Sequence, residues 1–279
     1  NHTPLLWTCH GWYDIDNRPK QWAARLFADS ITAVSDSVRH EVDLRLGCPG
    51  LASTDYLGIL PFNGPQTASM RTEIRREMDI DPECPLIAVV GRYQPIKGHH
   101  YLLDALPEIR RRLPNLRVWF IGDALFGVEE EACKASLVRR IREENLANCV
   151  QMLGFRPDAR RLMRALDALV IPSEGESFGM AAVEGLEAGI PVIGPDGWGP
   201  SEIIEVPHTG QLFKPRDPSD LALCVIASLT ADGVGADFDP QAGPNRIKRL
   251  FTVDAHARRT LKLYHQLNPA IPLNQDEQL

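Results

Sequence analysis

The chain of 279 residues has no long apolar run and no excess of basic residues. A membrane-spanning helix needs about 20 consecutive apolar residues, and no run in the sequence approaches that length. Acidic residues number 37 against 30 basic ones, so the net charge is −7 at pH 7. Because nucleic-acid-binding domains usually carry a basic excess, this balance argues against nucleic acid as a partner. The sequence predicts a cytoplasmic protein and leaves peripheral contact with the inner face of a membrane open.

Paired cysteines and the common nucleotide-binding fingerprints are also missing. No two of the six cysteines have C-x-x-C spacing, and none lies beside a histidine pair that would complete a zinc site, which indicates reduced thiols and no zinc site. Neither G-x-G-x-x-G nor G-x-x-x-x-G-K-[ST] occurs in the chain. Any nucleotide site must therefore be built from other residues.

Apolar runs that alternate with amphipathic segments fill most of the chain. The runs that predict buried strands lie at 86–91, 116–122, 150–153, 168–171, 191–194 and 210–213. Segments with helical periodicity include 101–113, 129–146, 158–166 and 179–188. This alternation predicts an α/β fold with a doubly wound parallel sheet and helices on both faces. We expect Arg160, Arg161 and Arg164 on the solvent-facing side of their helix.

The pattern divides the chain into three regions. We interpret residues 1–64 as the remnant of a first domain, with strands at 5–10 and 31–35. Ser35 is predicted to be a helix N-cap. The end of this region, 47–65, is rich in glycine and proline and indicates a linker with one short strand near 56–60. Residues 65–251 predict the doubly wound domain, and 252–279 a final helix and tail.

The carboxyl ends of the strands supply the first candidate residues, because ligands bind there in such sheets. Arg92 and Lys97 bracket a turn after the strand at 86–91, and Gly98 follows. A planar guanidinium and a mobile ammonium both suit phosphate oxygens. On spacing alone, two solvated surface cations are the alternative. The neighbouring His99 and His100 are expected on the surface.

A second candidate is the loop after the strand at 168–171, which reads SEGESFGM and leads into a helix. Backbone N–H groups at Gly179 and Met180, together with the helix dipole, predict an anion site suited to a diphosphate. Glu176 in the loop and Glu184 in the helix could accept hydrogen bonds from sugar hydroxyls. The alternative is that these carboxylates only favour the positive helix end or face solvent.

His10 is the third candidate, since it ends the predicted strand at 5–10 and precedes Gly11. Its position at a strand end is the same kind of position that the other candidates occupy. The alternative is a partly buried histidine with one satisfied ring nitrogen.

Together these segments resemble the retaining glycosyltransferases of the GT-B fold, and above all glycosyltransferase family 4. The run ESFGMAAVE at 176–184 resembles the E-x7-E motif of that family, and AGIPVI at 188–193 resembles the step that follows it. GR…KG at 91–98 resembles its diphosphate loop. AVS at 33–35 and TCH at 8–10 resemble the strand ends of its amino-terminal domain.

The resemblance implies a complete carboxyl-terminal Rossmann-like domain that binds a nucleotide-diphosphate sugar, UDP- or GDP-linked, beside a partial amino-terminal one. It implies that Arg92 and Lys97 neutralise the diphosphate, that Glu176 binds the donor sugar and that His10 lies over that sugar. The remaining donor contacts that it implies come from Gly154, Phe155, Arg156, Phe178, Gly179, Met180 and Glu184. The reaction would retain the anomeric configuration and need neither a metal nor a cofactor besides the donor.

The acceptor that the resemblance implies is a glycan, a lipid or a small molecule, as in polysaccharide biosynthesis. Family members carry further residues ahead of the His10 strand, so we expect a donor half with the tail end of an acceptor half. A nucleotide-sugar-binding module without transfer activity is the main alternative. An epimerase or a phosphorylase is less favoured, because no further acid–base side chain and no distinctive lysine stands out.

Overall fold

The computed structural model describes residues 3–62, 68–230 and 237–271. Two compact units divide the chain. The first comprises Asn1–Pro61, Ser177–Gly179 and Arg246–Leu279, and the second comprises Phe62–Glu176 and Met180–Asn245. The carboxyl-terminal helix, which the sequence pattern sets apart, thus belongs to the first unit by its contacts.

The described residues form nine strands and eleven α-helices. The strands are β1 (Leu6–Cys9), β2 (Ser30–Ala33), β3 (Ala52–Thr54), β4 (Leu86–Val90), β5 (Arg117–Ile121), β6 (Val150–Gly154), β7 (Ala168–Val170), β8 (Val192–Pro195) and β9 (Gly210–Phe213). The helices are α1 (Arg18–Phe27), α2 (Asp36–Leu46), α3 (Ala68–Glu77), α4 (His99–Arg112), α5 (Gly127–Glu143), α6 (Ala159–Leu162), α7 (Met180–Glu187), α8 (Trp198–Ile203), α9 (Pro218–Leu229), α10 (Ala242–Leu250) and α11 (Val253–Leu267). Short 3-10 helices lie at Trp12–Ile15, Pro95–Lys97 and Met163–Ala165. No helix among the described residues has both the length and the apolar composition needed to cross a membrane.

The first unit is built on a three-stranded parallel sheet in the order β1-β2-β3. The Ser35 side chain accepts a hydrogen bond from the Val38 N–H at 3.1 Å, which confirms it as the N-cap of α2. The prediction of a strand near 56–60 is wrong. The strand in this segment is β3, at Ala52–Thr54, and Ile59 forms only a single parallel bridge with Thr252. A three-residue strand in a segment rich in glycine and proline is too short to show a periodic pattern.

The second unit is a six-stranded sheet in the order β6-β5-β4-β7-β8-β9, with every neighbouring pair parallel. This confirms the doubly wound fold that the alternating pattern predicts. The chain runs outward from β4 through β5 to β6, and then returns to β7 on the other side of β4. The topological switch point therefore lies between β4 and β7, where ligands of such folds bind.

The packing of the second unit corrects two expectations about surface residues. His99 is 1% exposed, and its ring lies edge-on to Tyr93 and Phe120. Arg164 is also buried, with its guanidinium 3.7 Å from the centre of the Phe62 ring and 3.5 Å from the Glu187 carboxylate. Both side chains are polar, so the sequence pattern places them on the surface, yet their helices turn them inward.

Candidate functional site

Gly98 brings together the two loops that flank the switch point. It has a φ of +69°, and a Cβ added to it would lie 1.8 Å from the carbonyl oxygen of Pro172. Only glycine fits this left-handed position without a clash. The loop after β4, which carries Arg92 and Lys97, therefore packs directly on the loop after β7. The Glu174 N–H also donates a hydrogen bond of 2.8 Å to the carbonyl of Ile96.

Lys97 and Glu176 meet at this junction. The Lys97 Nζ lies 2.6 Å from Oε2 of Glu176, and both side chains are half-buried. The Ser173 hydroxyl lies 3.5 Å from the same carboxylate oxygen. The structure thus brings together two of the residues that the sequence selects, one from each loop.

Arg92 is held by a carboxylate that the sequence analysis does not single out. Its Nη1 donates to Oε1 of Glu130 at 2.6 Å, and the Gln94 side chain donates to the same oxygen at 2.8 Å. The Arg92 guanidinium also lies 5.2 Å from the centre of the exposed Phe126 ring. Both cations of the loop after β4 are therefore paired with an acid.

Glu174 has a different role from that of Glu176. Its two carboxylate oxygens accept hydrogen bonds from the Tyr101 hydroxyl and, at 2.8 Å, from Nε of Arg216. The hydrogen bond from Tyr101 and the Arg216 charge hold the pKa of this carboxyl below its usual value, although burial opposes them. Glu174 is thus engaged within the protein and ties the loop to α4 and to the chain after β9.

Glu184 lies half-buried in the second turn of α7. Burial raises its pKa, the nearby Arg160 charge opposes that shift, and Glu187 adds to it. Glu187, one turn further on, accepts hydrogen bonds from Arg160 at 2.8 Å and from the Phe62 N–H at 2.5 Å. The Glu184 carboxylate itself accepts no hydrogen bond from the described residues. Met180, the first residue of α7, is partly exposed.

The candidate residues after β6 lie beside the loop after β5. Gly154 has a φ of +69°, and its carbonyl accepts a hydrogen bond of 2.9 Å from the Gly122 N–H. Phe155 is 61% exposed, so its ring is open to a ligand. Arg156, by contrast, makes a two-pronged ion pair with Asp158, at 2.7 Å on each side. Its guanidinium is already occupied by a neighbour.

The remaining candidates belong to the first unit. His10 is exposed at the end of β1, and its backbone N–H donates to Oδ2 of Asp14 at 2.6 Å. The ring of Phe178 is buried against Tyr56 and Phe251, at centroid distances of 6.2 and 5.8 Å, so only its backbone is open to a ligand. Gly179 has a φ of +106°, a conformation that other residues rarely adopt.

The sequence analysis missed three residues that shape this edge of the second unit. Glu130 is buried among charged neighbours in a run of three glutamates, so nothing in the sequence distinguishes it. Tyr101 and Arg216 reach Glu174 from other elements, and their contacts depend on the tertiary fold. The second unit thus carries two cations, Arg92 and Lys97, and two candidate carboxylates, Glu176 and Glu184, in the segments that follow β4 and β7. These residue types suit a phosphorylated sugar compound.

Comparison with known proteins gives a consistent result. Residues 70–241, more than half of the chain, match the family described as glycosyl transferases group 1. The chain is 31% identical over 200 residues to the D-inositol 3-phosphate glycosyltransferase of Corynebacterium jeikeium, covering 70% of the chain and 47% of that protein. It is 27% identical over 263 residues to the glycogen synthase of Mycobacterium tuberculosis, covering 91% of the chain and 59% of that protein. The chain thus spans about half the length of these relatives.

The fold comparison agrees with this assignment. The crystal structure of Anabaena HepE in complex with UDP and glucose superimposes with a TM-score of 0.82 at 24% identity, covering 95% of this chain and 72% of that one. Such a likeness shows a shared GT-B fold. With the match to 70–241 covering the loops after β4 and β7, the chain belongs to the glycosyl transferases group 1 family.

Proposed function

We propose that this chain binds a nucleotide-diphosphate sugar and functions as a retaining glycosyltransferase. The enzyme would move the sugar to a glycan, lipid or small-molecule acceptor. The observation that carries the proposal is the pairing of Lys97 with Glu176 at the switch point, 2.6 Å apart. A cation for phosphate and a carboxylate for sugar hydroxyls are thus adjacent where the fold binds ligands.

The diphosphate would replace the Glu176 carboxylate as the partner of Lys97. Arg92 and Lys97 would bind its oxygens and stabilise the charge that develops on the departing nucleotide as the sugar leaves. Because the Lys97 ammonium then turns to phosphate, the Glu176 carboxylate becomes free to accept hydrogen bonds from the donor sugar. One exchange of partners would therefore prepare both groups.

The other residues would bind the remainder of the donor. The Gly179 and Met180 backbone at the start of α7 would meet a phosphate, and Glu184 would accept hydrogen bonds from the ribose. Gly154 and the exposed Phe155 would lie beside the base, with Arg156 fixing that loop through Asp158. His10, exposed at the end of β1, remains a proposed contact of the donor sugar.

UDP is the nucleotide that the comparisons favour over GDP. Solved structures of HepE contain UDP and UDP-glucose, and the chain superimposes on the UDP-glucose complex with a TM-score of 0.82. We also propose that the site needs no metal and no cofactor, since Arg92 and Lys97 would supply the positive charge that a diphosphate needs. Chelation of divalent metals with EDTA should then leave UDP affinity unchanged, whereas loss of binding on chelation would contradict this part of the proposal.

A nucleotide-sugar-binding module without transfer activity is the second candidate. Both candidates predict donor binding, and only the first predicts turnover. For the enzyme we propose a cytoplasmic location, with peripheral contact at the inner face of the membrane if its acceptor is a lipid.

Calorimetric titration with UDP, GDP and ADP tests the proposal. The wild-type chain should bind UDP in the micromolar range, and the double variant Arg92→Ala/Lys97→Ala should not. The matched control is Arg111→Ala/Arg112→Ala, which removes two exposed charges from the last turn of α4. Binding of UDP-glucose without release of glucose to any acceptor would favour the module. Absence of binding to all three nucleotides would contradict both candidates.

A further inference from the structure

We propose that Glu130 is a positioning residue that holds Arg92 in the orientation required by the donor diphosphate, an inference that rests on the proposed function. Glu130 lies in the first turn of α5 and is only 3% exposed. A carboxylate is rarely buried to this extent unless several hydrogen bonds compensate the lost hydration. The positions of those hydrogen bonds indicate its role.

The two oxygens of Glu130 join two neighbouring loops at the carboxyl edge of the sheet. Oε2 accepts the backbone N–H groups of Leu125 and Phe126, at 2.8 and 3.1 Å, from the loop after β5. Oε1 accepts hydrogen bonds from the side chains of Arg92 and Gln94, at 2.6 and 2.8 Å, in the loop after β4. One buried carboxylate therefore fixes the Arg92 loop to a rigid helix start.

Arg92 is held on two sides and open on the rest. Glu130 takes Nη1, and the Phe126 ring lies 5.2 Å from the guanidinium carbon. The other two nitrogens, Nε and Nη2, make no hydrogen bond to the part of the chain that the structure describes, and the side chain is 40% exposed. An arginine with fixed geometry and unused donors is preorganised to bind two oxygens of a phosphate group.

The carboxylate has two opposing effects on an incoming phosphate. Its charge weakens the attraction of Arg92, while its hydrogen bonds remove the conformational freedom that Arg92 would otherwise lose on binding. Burial raises the pKa of Glu130, but the backbone N–H groups and the Arg92 charge outweigh burial, so its pKa lies below the usual value. Glu130 therefore stays ionised at neutral pH, and we infer that its orienting effect is the larger one.

A double-mutant cycle separates this role from a general effect on the fold. We expect Glu130→Gln to weaken UDP binding about 3- to 10-fold, the amount expected for one long side chain that is no longer preorganised. In an Arg92→Ala background the same change should leave UDP affinity unaltered, because its target is gone. Glu129→Gln is the matched control, since it removes the neighbouring exposed carboxylate.

A second measurement does not depend on nucleotide. Phenylglyoxal labelling followed by mass spectrometry should show faster modification of Arg92 in Glu130→Gln than in the wild type, with the Glu129→Gln rate unchanged. Equal labelling rates, or equal losses of UDP affinity in both backgrounds, would overturn the inference, and so would tighter UDP binding by Glu130→Gln. If the wild type bound no nucleotide, the proposed function would fail, whereas the labelling result would still report whether Glu130 orders Arg92.

Discussion

Lys97 and Glu176 are 79 residues apart in the sequence, and their Nζ and Oε2 atoms lie 2.6 Å apart across the switch point. Ion pairs that remain in contact with solvent contribute only about 0–1 kcal/mol, so a ligand can separate this one at small cost. In the proposed function the pair holds both groups in place, and a diphosphate that binds Lys97 frees Glu176 for the donor sugar. This relationship makes opposite predictions for the two residues.

Glu176→Gln should separate nucleotide binding from sugar binding. Affinity for UDP alone should stay the same or rise by up to about 5-fold, because the variant lacks the carboxylate charge that competes with phosphate for Lys97. The extra affinity of UDP-glucose over UDP should fall about 10-fold or more, since a hydrogen-bonding carboxylate is lost. Calorimetry with both ligands measures the two effects. Lys97→Ala is the comparison, because it should weaken both ligands by the same factor. Equal weakening of UDP by both variants would contradict the proposed exchange of partners.

Gly98→Ala should disrupt the junction between the loops after β4 and β7. The new Cβ would lie 1.8 Å from the Pro172 carbonyl oxygen, so one loop must move. We expect the free energy of unfolding to fall by about 3 kcal/mol, and UDP binding to weaken as Lys97 shifts. Gly127→Ala is the control, because Gly127 has a φ of +83° with nothing within 4 Å, and it should lose only about 1 kcal/mol. Equal losses in urea unfolding would show that the close approach to Pro172 is unimportant.

The sequence predicts the second unit well because its strands are buried on both faces. Runs such as LIAVV at 86–90 are long enough to mark a central parallel strand, and their alternation with helices determines the winding order. The positions of Arg92, Lys97 and Glu176 at strand ends follow from that order, so their convergence in one unit could be expected. The distances between them could not, because they depend on the Gly98 contact.

Other features depend on tertiary contacts that leave no local pattern. The strand β3 has three residues and pairs through a register that only the folded first unit defines. His99 and Arg164 carry polar groups, so composition places them outside, yet aromatic rings cover both. Glu130 is one of three consecutive glutamates at 129–131, and only the packing of α5 selects it.

Glu184 should make UDP binding depend on pH. Burial raises the pKa of its carboxyl, Arg160 opposes the shift and Glu187 adds to it. In the proposed function the ionised form accepts hydrogen bonds from the ribose, so affinity for UDP should fall as the pH is lowered through this raised pKa. Glu184→Gln should remove that part of the pH dependence. Inorganic pyrophosphate, which has no ribose, is the control ligand, because it shares the titration of phosphates and cations. The same pH dependence in wild type and Glu184→Gln, after this correction, would exclude a ribose contact.

His99 should make the fold sensitive to acid. The ring is buried, neither nitrogen has a hydrogen-bond partner among the described residues, and burial with the charges of Lys97 and His100 lowers its pKa to about 3. In the unfolded chain this histidine binds a proton near pH 6.5, and in the folded chain it does not. The free energy of unfolding therefore loses nothing to His99 protonation above pH 6.5. Below it, the free energy of unfolding should fall by about 1.4 kcal/mol for each pH unit, down to the folded pKa.

Replacing His99 with phenylalanine tests this explanation directly. His99→Phe keeps an aromatic ring against Tyr93 and Phe120 and removes both unpaired nitrogens, so it should be at least as stable as the wild type at pH 7. Its advantage should grow by about 1.4 kcal/mol per pH unit below pH 6.5, as measured by urea unfolding at several pH values. His100→Phe removes only the last and smallest cause of the low His99 pKa, so it should keep most of the pH dependence of the wild type. A pH dependence that survives in His99→Phe would assign the acid sensitivity to other groups.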